Sequence, residues 1–187
     1  MKKVASIMVA LITVATLTTT LNGCKKGAND PLISFKSRDS RIVGIWTMES
    51  SEATDTDISS SSGVASTTVT VSSYNGTILT TTTTASGLSG TSAVSHTEKL
   101  TIEKDGTYEK VTTTDGAQST YTGYWWWLDS KKNKTRVAFD DDANSFYIDQ
   151  LKKKEMIVIV DTYSRTSDTT GDYSESTGTS TSTYSKS

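Results

Sequence analysis

Leu100-Thr101-Ile102-Glu103-Lys104-Asp105-Gly106-Thr107-Tyr108 is the stretch that decides the fold. Leu100 and Ile102 alternate with polar neighbours, the period of a strand with one buried face. Asp105-Gly106 then provides the positive φ of a tight hairpin, and Thr107 opens a second strand. Asn75-Gly76 and Asp115-Gly116 repeat the device, so adjacent antiparallel strands are the expectation along the chain. Working outward, the predicted strands are Val43–Ser50, Val64–Ser73, Thr77–Thr84, His96–Glu103, Thr107–Thr114, Ser119–Leu128, Thr135–Phe139, Ser145–Leu151 and Met156–Ser164. Val137/Phe139 and Phe146/Ile148 alternate in the same way, while Met156 to Val160 is continuously apolar and predicts cover on both faces. No segment is long enough for a crossover helix, which excludes parallel βαβ units. Exposed edges are hazardous in so strand-rich a chain, and closure into a barrel removes them.

The composition agrees. Roughly a third of the 187 residues are Ser or Thr, with one proline and 34% hydrophobic residues. Threonine suits a pleated surface. Disordered Ser/Thr tracts are poor in aromatics, whereas 4 Trp, 8 Tyr and 3 Phe are spread among the alternating segments here. A folded all-β protein is therefore predicted. The net charge of −2 lacks the basic field of a nucleic-acid binder.

The N-terminus has its own pattern. Met1-Lys2-Lys3 precedes an apolar and threonine run from Val4 to Leu21, then Leu21-Asn22-Gly23-Cys24. The clearly apolar part is shorter than the roughly 20 residues of a transmembrane helix. A basic start, a short apolar core and a small residue before the cut fit a removable signal. The segment resembles a bacterial lipoprotein signal peptide with its lipobox, although Asn22 is less common there than Ala, Ser or Thr. That resemblance implies cleavage of 1–23, lipid on Cys24 and a membrane anchor. Cys24 is the sole cysteine, with no disulfide partner in the chain. Removing 23 residues leaves 164, a length for one domain; losing Lys2 and Lys3 takes the charge to −4. Residues 24–34 read as a tether and 35–165 as the domain, with a helical turn at Phe35 to Ile42 before the first strand. Residues 166–187 form a Ser/Thr-rich tail, either frayed or folded as a hairpin turning at Gly171-Asp172, in which Tyr173 and Tyr184 pack.

Four segments in order suggest a family: Gly44-Ile45-Trp46, Asp105-Gly106-Thr107-Tyr108, Gly123-Tyr124-Trp125, and Phe146-Tyr147-Ile148-Asp149-Gln150-Leu151 followed by Met156-Ile157-Val158-Ile159. Their order is similar to that of the lipocalin-like lipoproteins of Bacteroidota. The resemblance runs from Phe35 to about Tyr163, and departs from the family in the Ser/Thr-rich second and third strands and in the tail. It implies an antiparallel up-and-down lipocalin-like barrel of about 8 to 10 strands, with Trp46 on its floor. It also implies a small hydrophobic ligand and no catalysis. A structural or protein-interaction lipoprotein with a filled barrel is the alternative. An ordinary core tryptophan at Trp46 fits a β-sandwich instead. Read physically, Gly44 lets another backbone approach closely while the indole caps a small core.

In a meander alternate loops share an end, which sorts the loop charges. One end collects Lys36, Arg38, Arg41, Asn75-Gly76, Lys104-Asp105, Lys131, Lys132, Lys134 and Lys152-Lys153-Lys154. The other collects Glu52, Asp55, Asp57, Asp115 and Asp140-Asp141-Asp142. With the tether at the basic end, anionic headgroups attract that rim at about 1 kcal/mol per nearby Lys or Arg. The expectation is a docked cup with an acidic mouth under a lid loop at Ser51–Gly63; loops without functional polarity are the alternative. No aspartate directly follows Cys24, and no acidic cluster resembling a surface-export signal is present. Those absences favour the outer membrane, on its periplasmic side.

Candidate chemistry is sparse. His96 is the single histidine, no Gly-x-Ser-x-Gly elbow occurs, and a strand-face role for His96 is expected. Neither a metal nor a cofactor is expected: Asp140 to Asn144 begins like a calcium loop, but Ser145 and Leu151 stand where Gly and Glu are required. Trp125 and Trp127 share one face of a strand and Trp126 takes the other. They serve as core or, with Tyr108, Tyr124 and Phe139, as the aromatic wall of a ligand site. Asp168-Thr169-Thr170 resembles the O-glycosylation sequon of Bacteroidota, making Thr169 a candidate acceptor.

Overall fold

The computed structural model of the protein describes residues 29–31, 36–129, 134–140, 142–169 and 171–187, with backbone alone at 142–145. A five-residue helix, α1 (Arg38–Ile42), precedes ten strands: β1 (Gly44–Ser61), β2 (Val64–Tyr74), β3 (Ile78–Ala85), β4 (Leu88–Ile102), β5 (Thr107–Thr114), β6 (Ala117–Trp127), β7 (Arg136–Phe139), β8 (Asp142–Leu151), β9 (Glu155–Ser167) and β10 (Tyr173–Lys186). Every pairing is antiparallel. Each strand lies beside its sequence neighbours, and β10 returns to β1, closing an up-and-down barrel. The inner face buries Trp46, Leu100, Ile102, Tyr108, Val137, Phe139, Ile148 and Met156, following the alternation. Of the continuous run in β9, Met156 and Val158 are buried inside, whereas Ile157 and Ile159 are only half-buried on the outer face.

The barrel changes width along its axis. Near one end β1 pairs directly with β4, Gly44 opposite Ile102 and Thr47 opposite Lys99. Further along, the β2–β3 hairpin wedges between them, so that Ser51 faces Tyr74 and Ile78 faces Ser95. Eight strands circle the narrow end; above it β2 and β3 enter the ring, while β7 pairs with β6 only at Trp125 to Trp127 and β8 with β9 only as far as Ile159. A bulge at Glu49, where Met48 meets Tyr184 but Ser50 meets Thr183, marks the changeover. The extra residue re-phases the strand, so Trp46 and Met48 below it and Ser51 and Ala53 above it all face inward. Asn75-Gly76 is the apex of this wedge and not part of a rim, where loop sorting places it.

The wide end is uneven. β5 and β6 turn at Asp115-Gly116 beside Ser95, where Asp115 Oδ1 accepts from Ser95 N at 2.9 Å. By contrast β1 to β4 run on to turns at Ser62-Gly63 and Ser86-Gly87, both with positive φ at each residue. The expected lid, Ser51–Gly63, is thus strand and turn. Hydroxyl ladders across strands explain why so polar a segment pairs: Ser51 with Ser182 at 2.9 Å, Ser59 with Ser66 at 2.8 Å and Ser72 with Thr81 at 3.1 Å. Cross-strand Ser/Thr pairs of this kind stabilise a sheet without apolar alternation. The domain also extends beyond residue 165. β9 runs to Ser167, Asp168 N donates to Asp172 O at 2.9 Å, and β10 closes the ring against β1, so the hairpin alternative for 166–187 describes a wall of the barrel.

At the narrow end α1 plugs the barrel. Ser37 caps it, its hydroxyl accepting from Ser40 N at 3.2 Å, as a helix N-terminus requires. Arg38 and Arg41, expected on a basic rim, are instead buried around Asp30. Arg38 Nε and Nη2 each donate to the Asp30 carboxylate at 2.9 Å, and Arg41 Nη2 donates at 3.2 Å. Leu151 N adds a fourth donor at 2.8 Å. Burial opposes the charge on Asp30, but these donors and the two guanidinium groups hold its carboxyl below the ordinary 3.8. Asp30, placed in the tether by its sequence position, is therefore part of the folded end. Above it Trp46 is fully buried, its Nε1 donating to Ile42 O at 2.6 Å. Lys186 Nζ stands 5.0 Å from the Trp46 ring centroid and donates to Arg41 O at 3.0 Å. Gly44 has φ +138°, and the Lys186 side chain occupies the space that a Cβ there would need. The close approach expected of a backbone is made by a side chain.

Candidate functional site: an amphipathic cavity

Between the plug and the wide end lies a cavity of about 380 Å³, within the size range of small-molecule sites. Ile42, Ile102, Ile148 and Met156 form its apolar floor. Tyr108, Phe139 and Phe146 line one side: the Tyr108 and Phe139 rings meet edge-on at 4.7 Å, and Phe139 meets Phe146 at 5.4 Å. Glu98, Lys110 and Tyr184 bring polar groups to the wall above. Tyr184 Oη donates to Glu98 Oε1 at 2.6 Å. Burial, together with that carboxylate, pushes the Tyr184 phenol well above its ordinary range. Burial raises Tyr74 too, with Glu49 and Glu98 adding to the shift. Lys110 Nζ stands 5.4 Å from the Tyr121 ring centroid. The space is apolar below and hydrogen-bonding above.

The five residues expected to form an aromatic wall divide three ways. Tyr108 and Phe139 line the cavity. Trp125 and Trp127 share the inner face and touch edge-on at 6.0 Å, but lie outside the cavity lining. Their Nε1 groups donate to Glu103 O at 2.9 Å and to Asp39 Oδ1 at 2.7 Å, which fastens them to the β4–β5 turn and to α1. Tyr124 is on the outer face and 63% exposed. Strand parity forbids it from sharing a wall with Trp125. Trp126 is outside as well, as alternation requires.

His96 is half-buried on the inner face, its Nδ1 2.9 Å from Thr114 Oγ1 and its ring edge-on to Tyr74 at 5.5 Å. Among the described residues no group of three or more His, Cys, Asp or Glu gathers at one point. Asp140 is exposed; Asp141 and the side chains of 142–145 lie outside the described residues. Thr169 is exposed in the β9–β10 turn. The signal segment 1–23, Cys24, Phe35, Lys131 and Lys132 also lie outside the described residues. Of the basic end, Lys104 and Lys152 to Lys154 are exposed at the plugged side, whereas Lys134 pairs with Asp39. Glu52, Asp55 and Asp57 sit along β1 and not in a loop. No helix among the described residues is long and apolar enough to cross a membrane.

Fold and cavity together define a closed antiparallel barrel with one plugged end and an amphipathic interior. No family model matches the chain, and no curated protein or solved structure matches it. Glu98, Lys110, Phe146 and Tyr184 are cavity residues that sequence reasoning does not select as site residues. Phe146 carries a signal in its alternation with Ile148, and Tyr184 in being one of two aromatics within a polar repeat. Glu98 and Lys110 carry only strand parity, Glu98 with Leu100 and Ile102 and Lys110 with Tyr108, a signal set aside because charged residues at strand positions read as solvent-facing.

Proposed function

We propose that this chain is a lipid-anchored envelope lipoprotein, similar to the lipocalin-like lipoproteins of Bacteroidota, whose barrel holds a small hydrophobic ligand without catalysis. The observation that carries this is the apolar cavity of about 380 Å³ above a sealed floor. The anchor belongs to the same proposal. Cys24 precedes Asp30 by six residues, a reach of at most about 20 Å, and Asp30 is bonded into the plugged end. Lipid on Cys24 thus keeps that end beside the outer membrane and leaves the wide end toward the periplasm.

Two measurements test the proposal. N-Phenyl-1-naphthylamine, a neutral dye, should brighten on binding the wild-type chain, and Ala53→Trp, which fills the cavity, should weaken that response at least tenfold. A dye that binds neither protein, or both alike, refutes the ligand reading. Cys24→Ser should move the protein from the membrane to the soluble fraction; continued membrane association refutes the anchor. A protein-interaction role is favoured by a different observation, the outward stripe of Tyr124, Trp126 and Leu128, each 45–63% exposed. Dye binding that is abolished by Ala53→Trp while the stripe is intact separates the two readings.

A further inference from the structure

Two tyrosines line the cavity, and their hydroxyls are treated differently. Tyr184 Oη has its acceptor in Glu98 at 2.6 Å. Tyr108 is 3% exposed and lines the cavity, yet its buried hydroxyl has no hydrogen-bond partner among the described residues. A buried hydroxyl without a partner is disfavoured by about tenfold or more in equilibrium constant, so it calls for an explanation. Tyr108 stands opposite Ile102 in the ladder, and Glu98 lies four residues further toward the wide end, about 13 Å along the strand. Tyr108 thus packs in the apolar floor cluster, opposite Ile102 and edge-on to the Phe139 ring, while Lys110, the next inward residue on β5, holds its Nζ 5.4 Å from the Tyr121 ring centroid.

We propose that the cavity selects an oxygenated apolar ligand, a hydrocarbon body carrying a carbonyl or hydroxyl oxygen that hydrogen-bonds Tyr108 Oη. This rests on the ligand-holding reading above and narrows it. A charged group is the wrong partner at that depth, because apolar walls do not repay its desolvation. A plain hydrocarbon fills the space but leaves the phenol unpaired. A neutral oxygen satisfies both. A ketone accepts the phenolic proton; an alcohol accepts it or donates to the phenolic oxygen.

The test measures displacement of N-phenyl-1-naphthylamine from the full chain by decane, 2-decanone and 2-decanol, in wild type, Tyr108→Phe and, as the control, Tyr163→Phe, a tyrosine 64% exposed and outside the cavity lining. The ratio of either oxygenated compound's affinity to that of decane should fall about tenfold in Tyr108→Phe and stay unchanged in Tyr163→Phe. If decane and the oxygenated compounds bind with the same ratio in wild type and Tyr108→Phe, the inference is overturned while the ligand reading stands. If neither dye nor compound binds wild type, the ligand reading falls and the inference with it. A second readout needs no variant. The carbonyl stretch of 2-decanone should move to lower frequency in wild type than in a hydrocarbon solvent, and an unshifted stretch overturns the inference.

Discussion

Replacing Asp30 by Ala should destabilise the barrel more than any other single change in its first few described residues. The Asp30 carboxylate accepts four hydrogen bonds, two from Arg38, one from Arg41 and one from Leu151 N. Its side chain is wholly inaccessible, and those of Arg38 and Arg41 are 0% and 4% exposed. Removing one member of a buried ion set leaves the others uncompensated and costs about 3–5 kcal/mol. Arg38 keeps Ile148 O and Lys134 O, and Arg41 keeps Leu151 O, which sets the expectation at the lower figure, about 3 kcal/mol. For a chain of this size that is a fall of about 6–12 °C in Tm. Guanidinium unfolding followed by tryptophan fluorescence should show the midpoint falling at constant slope.

The pH dependence gives an independent check. A carboxyl held below its ordinary 3.8 contributes stability that is complete above that value and lost as pH falls through the lower folded value. Asp30→Asn should lack this segment of acid sensitivity. A loss under about 1 kcal/mol in Asp30→Ala, the scale of a surface ion pair, would refute the reasoning, as would identical acid profiles for wild type and Asp30→Asn.

Three further predictions concern other parts of the barrel. Truncation after residue 165 removes the partner of β1 along its length, so far-UV circular dichroism should show loss of the folded sheet; a truncated chain that stays folded contradicts the assignment of β10. Gly87 has φ +80° and open space within 4 Å of where a Cβ would stand, so Gly87→Ala should cost about 1–2 kcal/mol from the backbone alone, read as a shift in unfolding midpoint. Tyr184 should ionise after most other tyrosines in a spectrophotometric titration, and Tyr184→Phe should remove the last step. Because its folded pKa is raised above 10, its stabilising contribution is present below pH 10 and declines as pH rises through the folded value.

What is legible in the sequence follows from local chemistry. Asp105-Gly106 and Asp115-Gly116 mark hairpins because Gly accepts positive φ and Asp tolerates it. The Ser62-Gly63 and Ser86-Gly87 turns use the same geometry with a weaker signature. Without them, Ser51–Gly63 reads as a lid and Ala85–Ser95 has no assignment. Val64–Ser73 and Thr77–Thr84 are read correctly as strands, but the upper parts of β1 and β4 escape notice for a related reason. Hydroxyl ladders pair Ser and Thr on both faces, so no apolar alternation exists to be read. In the site, Tyr108 and Phe139 are recognisable as inward aromatics, and parity with Trp125 is enough to exclude Tyr124. Asp30 is not legible at all. Its role depends on two arginines of α1 and a backbone amide of β8 meeting it in space, and nothing in Asn29-Asp30 announces that.

The wedge of β2 and β3 separates two properties that a simple barrel ties together. A ring of strands normally has one circumference, so widening its opening widens its base. Here the base is already a complete ring at the level of Gly44 to Thr47, and the inserted hairpin adds girth only above it. Lengthening or trimming that hairpin by residue pairs therefore changes how high the wall stands on that side, while Trp46, Ile102 and the Asp30 cluster keep their places. Entry and retention are governed by different stretches of chain.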